Sequence, residues 1–99
     1  MMDDIIATAG TVTKACEAVR DHGARRIIVA ATHGVLCGPA VERLAAAPID
    51  HLAVTDTIPL REQVSTRLPK LAVMTVSELM GEAIRRIHRN ESVSSLFMK

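Results

Sequence analysis

Ninety-nine residues with 48% hydrophobic content and a mean hydropathy of +0.23 hold one core-forming domain at most and exclude a disordered chain. A formal net charge of +1 and a single aromatic residue, Phe97, supply neither the long-range field nor the stacking platform of a nucleic-acid binder. No apolar run approaches the roughly 20 residues of a membrane span, and acids follow Met1-Met2 at once, so membrane and secretion are not expected and the cytoplasm is.

Asp3-Asp4 should close a buried strand, yet only Met1-Met2 precede them, where a parallel strand ordinarily carries a longer apolar run. The expectation is a chain that begins at the end of a strand, as a truncated piece would. Ala7-Thr8-Ala9-Gly10-Thr11 is a small loop bearing hydroxyls. A helix is predicted from Thr11 to His22, with Val12, Ala15, Cys16 and Val19 on its apolar face and Gly23 as a left-handed stop. Two readings of this opening stand side by side. In one, the adjacent carboxylates accept hydrogen bonds from vicinal sugar hydroxyls. Gly10 there removes a Cβ that would hold an anion off the backbone, and the helix start offers free N–H groups. In the other, Asp3-Asp4 is a solvated strand end and Thr11 an ordinary N-cap.

Ile27-Ile28-Val29-Ala30-Ala31 is short, continuous and β-branched, the pattern of a fully buried strand. Strand, helix and strand at this spacing imply a right-handed parallel crossover. Thr32 to Pro39 is predicted as a loop, with His33 either facing a ligand or bonded structurally. A helix follows over 40–46, with Val41, Leu44 and Ala45 inward, and Pro39 suits its start. His51 to Thr55 is the next strand. Asp56 after it either faces a ligand or caps a turn. Leu60 to Arg67 is polar with room for a short helical turn, and Leu71 to Met74 is a fourth strand. Thr75 and Glu78 have capping-box spacing before a helix over 76–89. Its buried stripe is expected to be Val76, Leu79, Met80, Ala83, Ile84 and Ile87. Arg85, Arg86, His88 and Arg89 either hold an anion or form a solvated face at the helix C-terminus. Leu96 and Phe97 are expected to dock. Cys16 and Cys37 fit no metal spacing and read as reduced thiols. The whole describes one α/β unit with a small parallel sheet.

Four stretches, taken together, resemble the C-terminal third of a ribose-phosphate pyrophosphokinase. They are Asp3 to Thr11; Ala31-Thr32-His33-Gly34 with Gly38-Pro39-Ala40; Val54-Thr55-Asp56-Thr57-Ile58-Pro59; and Glu82 to His88 running into Glu91 to Phe97. The first alone fits any type I phosphoribosyltransferase, and the others favour the pyrophosphokinase. The resemblance implies a phosphoribosyltransferase-like (Rossmann-like) partial domain over 1–99, N-terminally truncated relative to the family. It implies transfer of pyrophosphate from Mg-ATP to the 1-hydroxyl of ribose 5-phosphate. By position, Asp3 and Asp4 would meet the ribose hydroxyls, and Ala7, Thr8, Ala9, Gly10 and Thr11 would wrap the 5-phosphate. Ser92, Ser94 and Phe97 match positions of a regulatory phosphate and nucleotide site at a subunit interface.

Two departures bear on this. The family carries an acid where this chain has Ala7. Its first domain, ATP contacts, metal-ligating His and Asp, and catalytic loop with Lys and Arg have no counterpart here. Mg2+ and ATP are therefore implied for the complete enzyme only, and no catalytic residue or metal ligand is assigned within the chain. The expected partners are ribose 5-phosphate and either further copies of the chain or the missing N-terminal part. The alternative is a non-catalytic ribose-phosphate-binding or regulatory module that docks on full-length subunits.

Overall fold

The computed structural model describes residues 1–97. Four strands alternate with helices: β1 (Met2–Ile6), α1 (Gly10–Asp21), β2 (Ile28–Gly34), α2 (Ala40–Ala46), β3 (His51–Thr55), α3 (Glu62–Arg67), β4 (Leu71–Met74) and α4 (Ser77–His88). A 3-10 turn over Ser94–Phe97 follows. The strands are all parallel and lie in the order β1-β2-β3-β4. The α/β class and the parallel sheet expected from the sequence are thus present.

Sequential strand order with right-handed crossovers puts every crossover helix on one side of the sheet. Beneath α1, α2 and α3 the core gathers Val12, Cys16, Val29, Leu36, Leu44, Leu52, Val54, Val64 and Leu68. The other face is open. Val29 and Ala31 are therefore buried while Ile28 is half exposed, so β2 alternates and is not buried on both faces as its composition suggested. Strand β2 also runs on through Thr32, His33 and Gly34, which read as loop, because Ile5 and Ile6 of β1 pair with His33 and Gly34 and continue the ladder. Asp3 and Asp4 lie inside β1, not at its close. Strand β1 pairs only with β2, so its acids are exposed and Ile6 alone enters the core.

Helix α1 begins at Gly10, after Ala9, and has no side-chain cap, so Thr11 is not its N-cap. It buries Val12 and Cys16 but leaves Val19 exposed. Gly23, at φ +101°, ends it, and Gly23 N–H donates to the Arg20 carbonyl at 2.9 Å. Helix α2 turns Ala40, Val41 and Leu44 inward, with Ala40 in the place expected for Ala45.

The largest departure is α4. None of its residues is buried, and its stripe lies in the open, with Ile84 and Ile87 64% and 65% exposed. The helix starts after Val76, one residue beyond the expected cap. Its entry is held by Asp56, whose Oδ1 accepts the Val76 N–H at 2.8 Å. That bond, with one from Thr75, lowers the Asp56 pKa.

Candidate functional site

The loop after β1 lies at a strand's C-terminal end, where open α/β sheets collect ligands. It is pinned from behind. The connector from β2 donates Val35 and Leu36 N–H to the Ile6 carbonyl, at 3.0 and 3.1 Å, and Cys37 N–H to the Ala7 carbonyl at 2.9 Å. Ala9 then adopts the left-handed conformation, φ 66° and ψ 11°, while buried in the core. That conformation is uncommon for a residue with a Cβ and costs about 1–2 kcal/mol. Its carbonyl accepts both the Thr13 N–H at 3.1 Å and the Thr13 hydroxyl at 2.7 Å. The first bond of α1 therefore starts at Thr13, and the N–H groups of Gly10, Thr11 and Val12 precede it with no helical acceptor.

These groups border a hollow of about 230 Å³ whose lining runs from Asp3, Ile5 and Ile6 through Ala7, Thr8, Ala9, Gly10 and Thr11 to Val12. The structure thus brings the predicted loop residues and Asp3 to one place. Asp4 is not on the wall. Its carboxyl sits below the ordinary carboxylate range, first through a hydrogen bond shared with the Asp3 side chain and then through main-chain N–H groups, including that of Ile5. Thr8 and Thr11 are exposed. Asp3 also borders a second, apolar hollow of about 170 Å³ on the open sheet face, with Ala30, Ala53 and Met74.

One residue of the site left no mark in the sequence. Arg43, on α2, donates from Nη1 to the Thr8 carbonyl at 3.2 Å. The same Nη1 lies 3.1 Å from where a Cβ on Gly10 would stand. Gly10 is not in the positive-φ region; its missing Cβ makes room for a guanidinium. Arg43 sits on the exposed side of a seven-residue helix and is 35 residues from Thr8, so no local pattern points to it.

The other candidates are committed elsewhere. His33 Nδ1 pairs with the Thr57 hydroxyl at 2.7 Å. Glu82 takes both Arg85 and Arg86, and this pairing holds the Glu82 carboxyl down at about 2. Two of the four basic groups near the end of α4 are thereby neutralised. Arg86 also reaches the tail, donating to the Ser92 carbonyl at 3.3 Å and to the Ser95 hydroxyl. Ser92 and Ser94 hydroxyls meet at 2.8 Å. Phe97 is 71% exposed and does not dock as expected. Among the described residues no three of His, Cys, Asp and Glu gather to hold a metal. The Asp3–Asp4 pair alone falls short of a protein-built magnesium cage, since such ions bind through one or two carboxylates completed by substrate phosphates. No helix among those residues is long and apolar enough to cross a membrane.

A parallel sheet with a strand–loop–helix turn at its carboxyl end has the form with which nucleotide- and sugar-phosphate-handling α/β proteins hold anions. A family model, the phosphoribosyl synthetase-associated domain, matches residues 1–98. The chain belongs to that family. It is 52% identical over 97 residues to a ribose-phosphate pyrophosphokinase of Rhodopirellula baltica, covering 98% of this chain and 30% of the relative. It is 50% identical over 98 residues to that of Campylobacter jejuni, covering 99% of this chain and 30% of the relative. The crystal structure of phosphoribosylpyrophosphate synthetase from Mycobacterium smegmatis superposes with a TM-score of 0.84 at 40% identity, over 90% of this chain and 29% of that one. The chain therefore spans about three tenths of the length of the relatives it matches. These spans establish the relationship and the size of the shared segment; the narrower placement in a C-terminal third is not established by them.

Proposed function

We propose that this chain is the ribose-5-phosphate-holding segment of a ribose-phosphate pyrophosphokinase. The observation that carries the reading is the left-handed turn at Ala9, which leaves the N–H groups of Gly10, Thr11 and Val12 beside a hollow that Asp3 also lines. In this reading those groups, with the Thr8 and Thr11 hydroxyls, take the 5-phosphate, and Asp3, on the wall of the hollow, accepts from the ribose hydroxyls, with Asp4 behind it bonded to the Ile5 N–H. The complete enzyme would pass pyrophosphate from ATP to the 1-hydroxyl and release AMP, with Mg2+ neutralising the phosphates.

Transfer of this kind rests on positioned cations around the spreading charge. The chain's own contribution is to bind and orient the acceptor sugar. ATP and metal contacts would come from the remaining seven-tenths of a complete enzyme, in the same subunit or a neighbouring one. Ser92, Ser94 and Phe97, exposed in the tail that follows α4, would take part in a regulatory phosphate and nucleotide site only when a neighbouring subunit completes it. The cytoplasm is the compartment this activity calls for.

Titrating the isotopically labelled chain with ribose 5-phosphate tests the reading. The Gly10, Thr11 and Val12 amide resonances should move with the ligand, and a titration that leaves them still would overturn it. With Mg-ATP added, the isolated chain should form no phosphoribosyl pyrophosphate above a heat-treated control.

A further inference from the structure

We infer that Arg43 is the positioning residue of the phosphate-binding loop, clamping the Thr8 carbonyl so that the turn at Ala9 holds its left-handed form. The inference deepens the proposed function and rests on it only for the ligand, since the clamp itself is a property of the free chain.

Three observations carry it. First, the loop contains one uncommon conformation, at Ala9, and a left-handed residue with a Cβ persists only where its surroundings over-determine it. On one side that restraint is visible: the Ala9 carbonyl takes two bonds from Thr13, and the Ala7 carbonyl takes the Cys37 N–H. Thr8, between them, is exposed and its carbonyl is held by the Arg43 guanidinium. Second, Arg43 has no carboxylate within ion-pair distance among the described residues, whereas the neighbouring Glu42 pairs with Arg67 at 3.5 Å. Its charge is not spent on an acid, and hydrogen bonds from a charged donor are roughly twice as strong as neutral ones. Third, Gly10 and Arg43 fit each other. A Cβ on Gly10 would stand 3.1 Å from Nη1, and no backbone atom stands in its way within 4 Å among the three nearest. A Cβ at the position asks the guanidinium to give way by a few tenths of an ångström, which lengthens a bond that already stands at 3.2 Å.

The clamp also ties the loop to the core. Arg43 precedes Leu44, which is fully buried, so the seating of α2 under the sheet decides where the guanidinium starts from. Loop geometry is thereby set by packing 35 residues further along the chain.

Arg43→Met keeps the aliphatic stem and removes the donor; Arg43→Lys restores a single charged donor. In the ligand-free chain, Arg43→Met should speed hydrogen exchange of the Thr13 and Cys37 amides, which bond to the Ala9 and Ala7 carbonyls of the loop, by about tenfold, the scale of one lost hydrogen bond. Core amides of Leu52 and Val54 should keep their protection, and Arg43→Lys should recover part of the loss. Gly10→Ala should give the same loop signature by displacing the guanidinium, and the double variant should be no worse than either single one. Unchanged loop exchange in Arg43→Met would overturn the inference whether or not ribose 5-phosphate binds. Additive effects of Gly10→Ala and Arg43→Met would overturn the claim that the two share one role. If the clamp behaves as stated but ribose 5-phosphate moves no amide in the parent chain, the ligand assignment fails and the positioning role stands.

Discussion

The Arg43 guanidinium meets the Thr8 carbonyl at 3.2 Å, and this bond joins two parts of the chain that carry opposite duties. Helix α2 is a core element, with Ala40 and Leu44 fully buried. The loop at Thr8 is exposed, and in the proposed reading its useful groups are main-chain N–H groups. Side chains can be replaced one at a time, but N–H groups are aimed only by the fold. A cation drawn from the core-packed helix is one way to aim them, and the missing Cβ at position 10 leaves it room. Gly10 then serves the site by admitting a protein cation, which adds to its expected service of keeping a Cβ away from an anion.

Gly34 is the second glycine with a packing reason. A Cβ there would lie 3.0–3.3 Å from the Cβ and both methyl carbons of Val54, a fully buried neighbour in β3. Branched carbons close to the backbone have little freedom to move aside. Gly34→Ala should therefore destabilise the fold by about 1–3 kcal/mol, the usual cost of an overpacked core. Thermal or urea unfolding measures it. A companion Gly34→Ala/Val54→Ala variant should lose less than the two single losses added together, and simple additivity would show that the clash is not the cause.

The strands and helices were largely legible because each rests on a local pattern: β-branched runs for β2 and β3, helical spacing at Val12 and Cys16, Gly23 as a stop. What escaped depends on distant partners. His33 and Gly34 are strand only because Ile5 and Ile6 lie beside them. Ile28 is exposed only because strand order leaves one sheet face open. Arg43 reached the site through a contact that no periodicity encodes. The loop itself was readable as a motif, since Thr8-Ala9-Gly10-Thr11 is contiguous, but the left-handed residue is Ala9 and not the glycine.

Helix α4 has a strong apolar stripe that nothing among the described residues covers. Leu79, Met80, Ile84 and Ile87 are all exposed, and the open sheet face offers a further apolar hollow. Exposed apolar surface of this kind favours association. Light scattering behind size exclusion should show the isolated chain as a dimer or larger, and Ile84→Lys with Ile87→Lys should shift it towards monomer. A parent chain that runs as a folded monomer at the concentration of an ordinary preparation would refute this.

The pairing of Glu82 with Arg85 and Arg86 sets a pH dependence whose sign is fixed. The Glu82 carboxyl is held at about 2 against an ordinary value of 4.5. A depressed acid contributes its stabilisation in full above its unfolded value and loses it as pH falls through the folded one. The contribution is thus present above pH 4.5 and fades between 4.5 and about 2. Carboxyl-detected NMR should find the Glu82 midpoint near the lower limit, with the α4 C-terminal turn and its Arg86 link to Ser95 loosening over the same range. In Glu82→Gln that loosening should be present at neutral pH. A Glu82 midpoint near 4.5 would mean the ion pairs do not persist in solution.

The last prediction concerns Ala7, where the resembling family carries an acid. A helix N-terminus contributes about 0.3–2 kcal/mol towards holding an anion, while millimolar binding already requires about 4 kcal/mol. The loop N–H groups, Thr8, Thr11 and the acids must supply the remainder. Ala7 offers only its main chain, and its carbonyl is already taken by the Cys37 N–H. Its side chain is exposed at the rim of the hollow, so a carboxylate there can be solvated when empty and can accept a sugar hydroxyl when filled. Ala7→Asp should therefore leave unfolding unchanged and tighten ribose 5-phosphate about five- to tenfold, the worth of one ordinary net hydrogen bond of roughly 1–1.4 kcal/mol. Inorganic phosphate, which has no ribose hydroxyl to offer, should bind no better and should bind slightly worse from the added negative charge. Parallel calorimetric titrations with the two ligands separate these effects. If both ligands weaken equally in Ala7→Asp, the residue at position 7 faces the phosphate and not the sugar, and the assignment of the hollow's two ends must be reversed.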